Sequence, residues 1–136
     1  MIKRVTHATL YVKDQNEALR FYTECLGFEL RADRTIGDFR WLTVSPKQQP
    51  EFEIILYPIK ADGFMLSEDD ARSIAMLVEK GKLGGPVVKS DDVRKAYAEM
   101  TAKGVEFLNP PTDQPWGVEA VFKDNSGNVF SLQQEV

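Results

Sequence analysis

The sequence predicts an α+β chain built from two βαβββ modules. Two observations carry this. The same order of strand and helix signals runs through the chain twice, and each copy starts and stops its helix with matching residues. A constant offset of 78 residues lays Asp14 on Asp92, Phe52 on Phe130 and Ile54 on Leu132, with a one-residue slip near the helix ends. At 136 residues one domain is the default, and roughly 70% of the unfolded chain's surface can be buried. The expected division is a first module over 1–58, a helical linker over 59–82 and a second module over 83–136.

In the first module a strand is expected from Val5 to Val12, followed by a helix in "DQNEALRFYTECLGF". Asp14 is a natural N-cap, because a short carboxylate accepts from the first free amides of a helix. Ala18, Leu19, Tyr22 and Leu26 fall at helical spacing, and Gly27 stands where a left-handed cap residue is wanted. "FELRAD", "FRWLTV" and "EFEIILYP" then read as strands. A helix in the linker starts near Ser67, with Ser67 and Asp70 in a capping arrangement and Ile74, Leu77 and Val78 as its apolar face. In the second module "GPVVK" reads as a strand and Asp92 as the next N-cap. Ala96, Tyr97 and Met100 mark the helix and Gly104 its stop. "VEFLNP", "VEAVFKD" and "NVFSLQQ" complete the module. "DNSGN" joins the last two as a hairpin, its asparagine and glycine being suited to positive φ. "NPPTDQP" reads as a proline-rich loop.

Composition removes several function classes. The net charge of −4 is spread along the chain and there is no basic stripe, so nucleic acid is not an expected partner. No apolar run reaches the roughly 18 residues of a membrane span, and the N-terminus lacks a charged-then-apolar leader, so a cytoplasmic protein is expected. Cys25 is the only cysteine, which excludes an intrachain disulfide and a thiolate cluster; it reads as a small apolar residue. Serine hydrolase chemistry has no G-x-S-x-G elbow to stand on. "LGG" at Leu83 to Gly85 is too short for a phosphate loop, and Asp69 and Asp70 are helix-start charges.

Strand alternation sorts the remaining polar residues onto faces. Val5, His7, Thr9 and Tyr11 share one face of the first strand, while Ala8, Leu10 and Val12 suit packing beneath a helix. Glu53, Ile55 and Tyr57 lie opposite the apolar Phe52, Ile54 and Leu56. Ser131 and Gln133 lie opposite Phe130 and Leu132. The mixed faces therefore place His7, Thr9, Tyr11, Glu53, Tyr57, Ser131 and Gln133 as the lining of a pocket. Arg40 and Trp41 are suited to holding an anionic or planar ligand, or to sheet packing. Trp116 could cover the pocket mouth or anchor its loop, and Glu119 could offer a carboxylate or stay solvated.

The quoted segments, together with "HATLYVKDQNEALRFYTECLGFEL", "KGVEF" and "PPTDQPWGVEAVFKDNSGN", resemble the vicinal oxygen chelate superfamily over nearly the whole chain. This is the glyoxalase, bleomycin resistance and dioxygenase group. The resemblance implies a strongly curved sheet per module, an eight-stranded open cup and a homodimer. It also implies a metal site. Metal-dependent members carry a histidine in the first strand and a glutamate or histidine in the fourth, and repeat both in the second module. Here those positions are His7 and Glu53, and the offset of 78 points to Gly85 and Ser131 as their counterparts. Glycine has no side chain and a neutral hydroxyl is a poor ligand for a divalent ion, so zinc, nickel, manganese or iron would meet a reduced ligand set of His7 and Glu53.

For His7, the only histidine, three roles stay open: a pocket-wall residue, a metal ligand, or an acid–base group, since imidazole ionises near neutral pH. Glu53 on an apolar strand costs free energy to bury unless it is paired, which makes it a candidate base or ligand. Two functions follow. One is a glyoxalase-like lyase or isomerase, or a dioxygenase, acting on a small carbonyl or diol compound with Glu53 and His7 catalytic. The other is a protein that binds or sequesters a small organic molecule without chemistry.

Overall fold

The computed structural model describes residues 1–63 and 65–135. The chain divides into two compact units, Met1–Ala75 and Met76–Val136. The first contains β1 (His7–Val12), α1 (Gln15–Arg20), β2 (Phe28–Ile36), β3 (Phe39–Pro46) and β4 (Glu53–Pro58). Its sheet has the order β1-β4-β3-β2, with β1 and β4 parallel and the other pairs antiparallel. The helix α2 (Glu68–Glu79) runs across the division. The second unit contains β5 (Val87–Lys89), α3 (Val93–Ala102), β6 (Glu106–Gln114), β7 (Gly117–Lys123) and β8 (Val129–Glu135), in the sheet order β5-β8-β7-β6. These are the two βαβββ modules of the glyoxalase/bleomycin resistance fold. Among the described residues no helix is long and apolar enough to cross a membrane.

The helix signals work as expected. The Asp14 carboxylate accepts from the Glu17 amide at 2.8 Å and the Asp92 carboxylate from Lys95 at 3.0 Å. Gly27 and Gly104 follow their helices with φ of 73° and 92°. Ser67 and Asp70 cap α2 reciprocally: the Ser67 hydroxyl accepts from the Asp70 amide, and the Asp70 carboxylate accepts from the Ser67 amide. In the first module Val12, Ala18, Tyr22, Leu42, Val44 and Leu56 are completely buried. The second module centres on Phe122 and Phe130, stacked with centroids 4.9 Å apart.

Four expectations are corrected. First, β1 begins at His7, and Val5 is 70% exposed; Ala8 is exposed too, so only Leu10 and Val12 carry the inner face. Second, the first helix does not continue to its glycine as an α-helix. It ends in a π-helical turn over Phe21–Cys25, where the Leu26 amide donates to the Phe21 carbonyl. The Thr23 hydroxyl donates to the Leu19 carbonyl at 2.8 Å there, competing for a ladder acceptor. Third, "NPPTDQP" is not a loop. Its residues continue β6 as far as Gln114, with register shifts on either side of Asn109. Proline lacks a donor, and β6 is an edge strand, where that loss is tolerated. Fourth, among the described residues none other than glycine has positive φ, so the asparagines of "DNSGN" do not supply it. Gly127 does, at φ 117°, where a Cβ would come 2.4 Å from the Val78 carbonyl oxygen. The turn is instead organised by the buried Asp124.

Candidate functional site

The site begins with strand pairing. Because β1 and β4 are parallel and in register, His7 pairs with Glu53, Thr9 with Ile55 and Tyr11 with Tyr57. One face of this strand pair is therefore polar at one end and aromatic at the other. At the polar end His7 Nε2 lies 3.5 Å from Glu53 Oε2, with both side chains partly exposed. The other ring nitrogen, Nδ1, is 2.8 Å from the Thr6 hydroxyl. When that hydroxyl donates, Nε2 carries the proton toward Glu53. Trp41 closes one side of the imidazole, ring centroids 5.7 Å apart.

The remaining Glu53 oxygen, Oε1, accepts from the Thr43 hydroxyl at 2.5 Å. Thr43 is completely buried, and it is a site residue that the strand pattern alone does not single out. Its signal lay in "WLTVS", where Leu42 to Ser45 are all buried although two of them are polar. A buried hydroxyl needs a partner, and a nearby acid supplies it.

At the aromatic end Tyr11 meets Tyr57 edge-on at 5.7 Å, and Tyr57 meets Phe39 at 5.4 Å. The Tyr57 hydroxyl donates to Asp62 Oδ2 at 2.9 Å. Burial, and then the Asp62 hydrogen bond and charge, push this phenol up to about 12. The folded state thus favours the neutral phenol. Its contribution to stability is complete below the ordinary tyrosine value of about 10 and is lost as pH rises toward 12. An alkaline ultraviolet titration should show a late-ionising tyrosine component that is missing in Tyr57→Phe; an unchanged late component in that variant would contradict it.

Arg40 is engaged elsewhere. Its guanidinium forks onto Asp33 with both contacts at 2.9 Å and donates to Asn16 at 2.6 Å. The Arg40 hydrogen bond holds the Asp33 carboxyl below its usual value, and the same bond raises Arg40. Thr9 is exposed between the two ends of the face, and Trp116, 52% exposed, stands in the turn between β6 and β7.

The second module gathers Glu119, Ser131 and Gln133. Glu119 Oε2 accepts from the Ser131 hydroxyl at 2.6 Å and from the Gln133 amide at 3.1 Å. The pairing reveals how this cluster relates to the first. Thr43 pairs with Ile55, two residues beyond Glu53, and Glu119 pairs with Gln133, two residues beyond Ser131. Each module therefore carries one hydroxyl–carboxylate bond between its third and fourth strands, with the two partners exchanged. The same register corrects Gly85 as the counterpart of His7. Ser131 pairs with Val87, so the repeat slips by two residues in the first strands. Gly85 precedes β5, and a Cβ there would meet the Val129 carbonyl oxygen at 2.1 Å, which accounts for the glycine.

A resident divalent cation does not fit these donors. The counterparts of His7 and Glu53 are valine and serine, which leaves two strong ligands where a resident ion would need more. Among the described residues no three His, Cys, Asp or Glu side chains gather as a metal site.

Comparison with known proteins agrees with the architecture. UcmS2 has a crystal structure with a TM-score of 0.94 and 42% identity, covering 99% of this chain and 100% of that one. TnmS3, an antibiotic binding protein from Streptomyces sp. CB03234, gives 0.77 and 32%, covering 99% and 98%. The uncharacterized protein YetH of Bacillus subtilis (strain 168) is 35% identical over 135 residues, 98% of this chain and 100% of its own length. The profile of the Glyoxalase/Bleomycin resistance protein/Dioxygenase superfamily matches residues 4–132, and with its paired βαβββ modules the chain belongs to that superfamily.

Proposed function

We propose that this chain binds a small organic ligand on the polar strand face of its first module and holds it without turnover. The observation that carries this reading is the state of Glu53. This carboxylate accepts from Thr43 on one oxygen and faces His7 with the other, so both contacts hold it in place on the strand face. Such an acid is a fixed polar wall. Trp41, flanking His7, offers a flat surface for a ring, and Thr9, Tyr11 and Tyr57 extend the same face. Glu119, Ser131 and Gln133 form the ligand-contacting patch of the second module. The role of TnmS3 as an antibiotic binding protein is of the same kind. The modules 1–58 and 83–136, joined by the linker 59–82, are proposed to act as a cytoplasmic homodimer, which sedimentation of the purified chain tests.

A second reading keeps catalysis, because His7 and Glu53 touch at 3.5 Å. In it Glu53 removes a proton next to a carbonyl and His7 acts as acid, as a glyoxalase-like lyase or isomerase would require. Calorimetric titration with planar aromatic and cationic compounds, with product analysis of each mixture, separates the two. Binding predicts a saturable ligand recovered unchanged, weakened about tenfold in Glu53→Gln, a difference of about 1.4 kcal/mol. A new product that Glu53→Gln no longer forms would replace the binding reading with the catalytic one.

A further inference from the structure

We infer that the first module holds a second binding pocket, for a flat aromatic ring system bearing an amine, at the tip of the β2–β3 hairpin. This goes beyond the proposed function: the pocket shares Tyr57 with that face, but none of His7, Trp41, Thr43 and Glu53 lines it. Its volume is about 890 Å3, within the range of roughly 300–1,000 Å3 found for drug-sized ligands. Tyr57 and Glu53 share the same strand face but stand four residues apart, about 13 Å along β4 at 3.3 Å per residue.

The shape follows from the hairpin and from one carboxylate. Gly37, at φ 60°, and Asp38 form the two-residue turn between Ile36 and Phe39. This brings Ile36, Asp38 and Phe39 to one end of the sheet, where Tyr57 and Met65 complete the lining. Asp62 fixes the wall. One of its oxygens accepts from the Tyr57 hydroxyl, and the other accepts from the Met65 and Leu66 amides at 2.8 and 3.0 Å. The phenol ring is thereby held against Phe39, and the pocket is formed before any ligand arrives.

The lining selects the occupant. Phe39 and Tyr57 meet at an interplanar angle of 47° and present ring faces and edges to a planar guest. Ile36 and Met65 are 70% and 57% exposed, leaving apolar surface in water that a ring would cover. Of the charged groups lining the pocket, two are the carboxylates of Asp38 and Asp62 and one is the ammonium of Lys60. Carboxylates only accept hydrogen bonds, so the excess of negative charge favours a donor-bearing cation over an anion.

The test uses proflavine, a planar dye carrying amines, with anilinonaphthalene sulfonate as its anionic counterpart, both followed by fluorescence on the full chain. Saturable proflavine binding is expected. It should weaken about tenfold or more in Phe39→Ala and in Asp38→Lys, and stay within about twofold in Glu53→Gln. Asp38 is exposed in the turn, so Asp38→Lys keeps the fold, which an unchanged thermal midpoint confirms. Absence of saturable proflavine binding, a preference for the sulfonate, or indifference to Asp38→Lys would overturn the inference. So would an equal loss in Glu53→Gln, because that makes the two sites one. Failure of the proposed function alone looks different: proflavine binding persists while no compound responds to Glu53→Gln.

Discussion

Replacing Asp124 with alanine should unfold the second module, with an expected loss of about 3–5 kcal/mol of stability. Asp124 is 5% exposed in the turn between β7 and β8. Its Oδ1 accepts from the amides of Ser126, Gly127 and Asn128 at 2.8–2.9 Å, and its Oδ2 accepts from the Asn128 side chain at 2.9 Å. Alanine removes the carboxylate that these donors share, in a segment whose Ser126 and Asn128 are almost wholly out of water. Urea denaturation of the purified variant measures the loss. A change below about 1 kcal/mol would mean that water enters and replaces the carboxylate.

The second large effect is expected from Gly117→Ala, at about 3 kcal/mol or more. Gly117 begins β7 with φ 142°, and a Cβ there would come 1.9 Å from the Gln134 carbonyl oxygen. The obstacle is backbone, so no rotamer change relieves it and the β7–β8 ladder must open. The damage reaches the polar cluster, because Glu119 pairs with Gln133 only two positions along the same ladder. Hydrogen exchange should show the β8 amides losing protection, together with a lower thermal midpoint. Full protection at an unchanged midpoint would mean that the strands shift apart at little cost, and that the close approach is not what requires glycine.

Much of this arrangement is legible in the sequence because it is local. Asp14 and Asp92, Gly27 and Gly104, and the pair Ser67 and Asp70 act on backbone within one turn of themselves, and their chemistry is readable from residue type. The adjacency of His7 and Glu53 was also reachable, since it needed only alternation and the order of the strands. Register was not. A single offset assigned Gly85 to the position that pairing gives to Val87, because the stretch between first and fourth strands differs in length between the modules and one offset cannot carry that difference. Thr43 escaped notice for a related reason. Its partner is diagonal across a strand pair, a relation that appears only once the ladder is set. The buried role of Asp124 was hidden inside a segment whose composition reads as an exposed turn. The pocket at Phe39 and Tyr57 depends on Asp62, which lies beyond the strands and carries no pattern of its own.

The prolines of β6 have a consequence for association. Pro110 and Pro111 sit in the outermost strand of the second sheet, where a free row of amides would invite another strand to add. Two adjacent residues without N–H groups interrupt that row, and the register shifts around Asn109 bend it further. This edge is therefore a poor template for intermolecular β-pairing. The protection is covalent, so it remains through partial unfolding, when other edges become sticky and chains begin to aggregate.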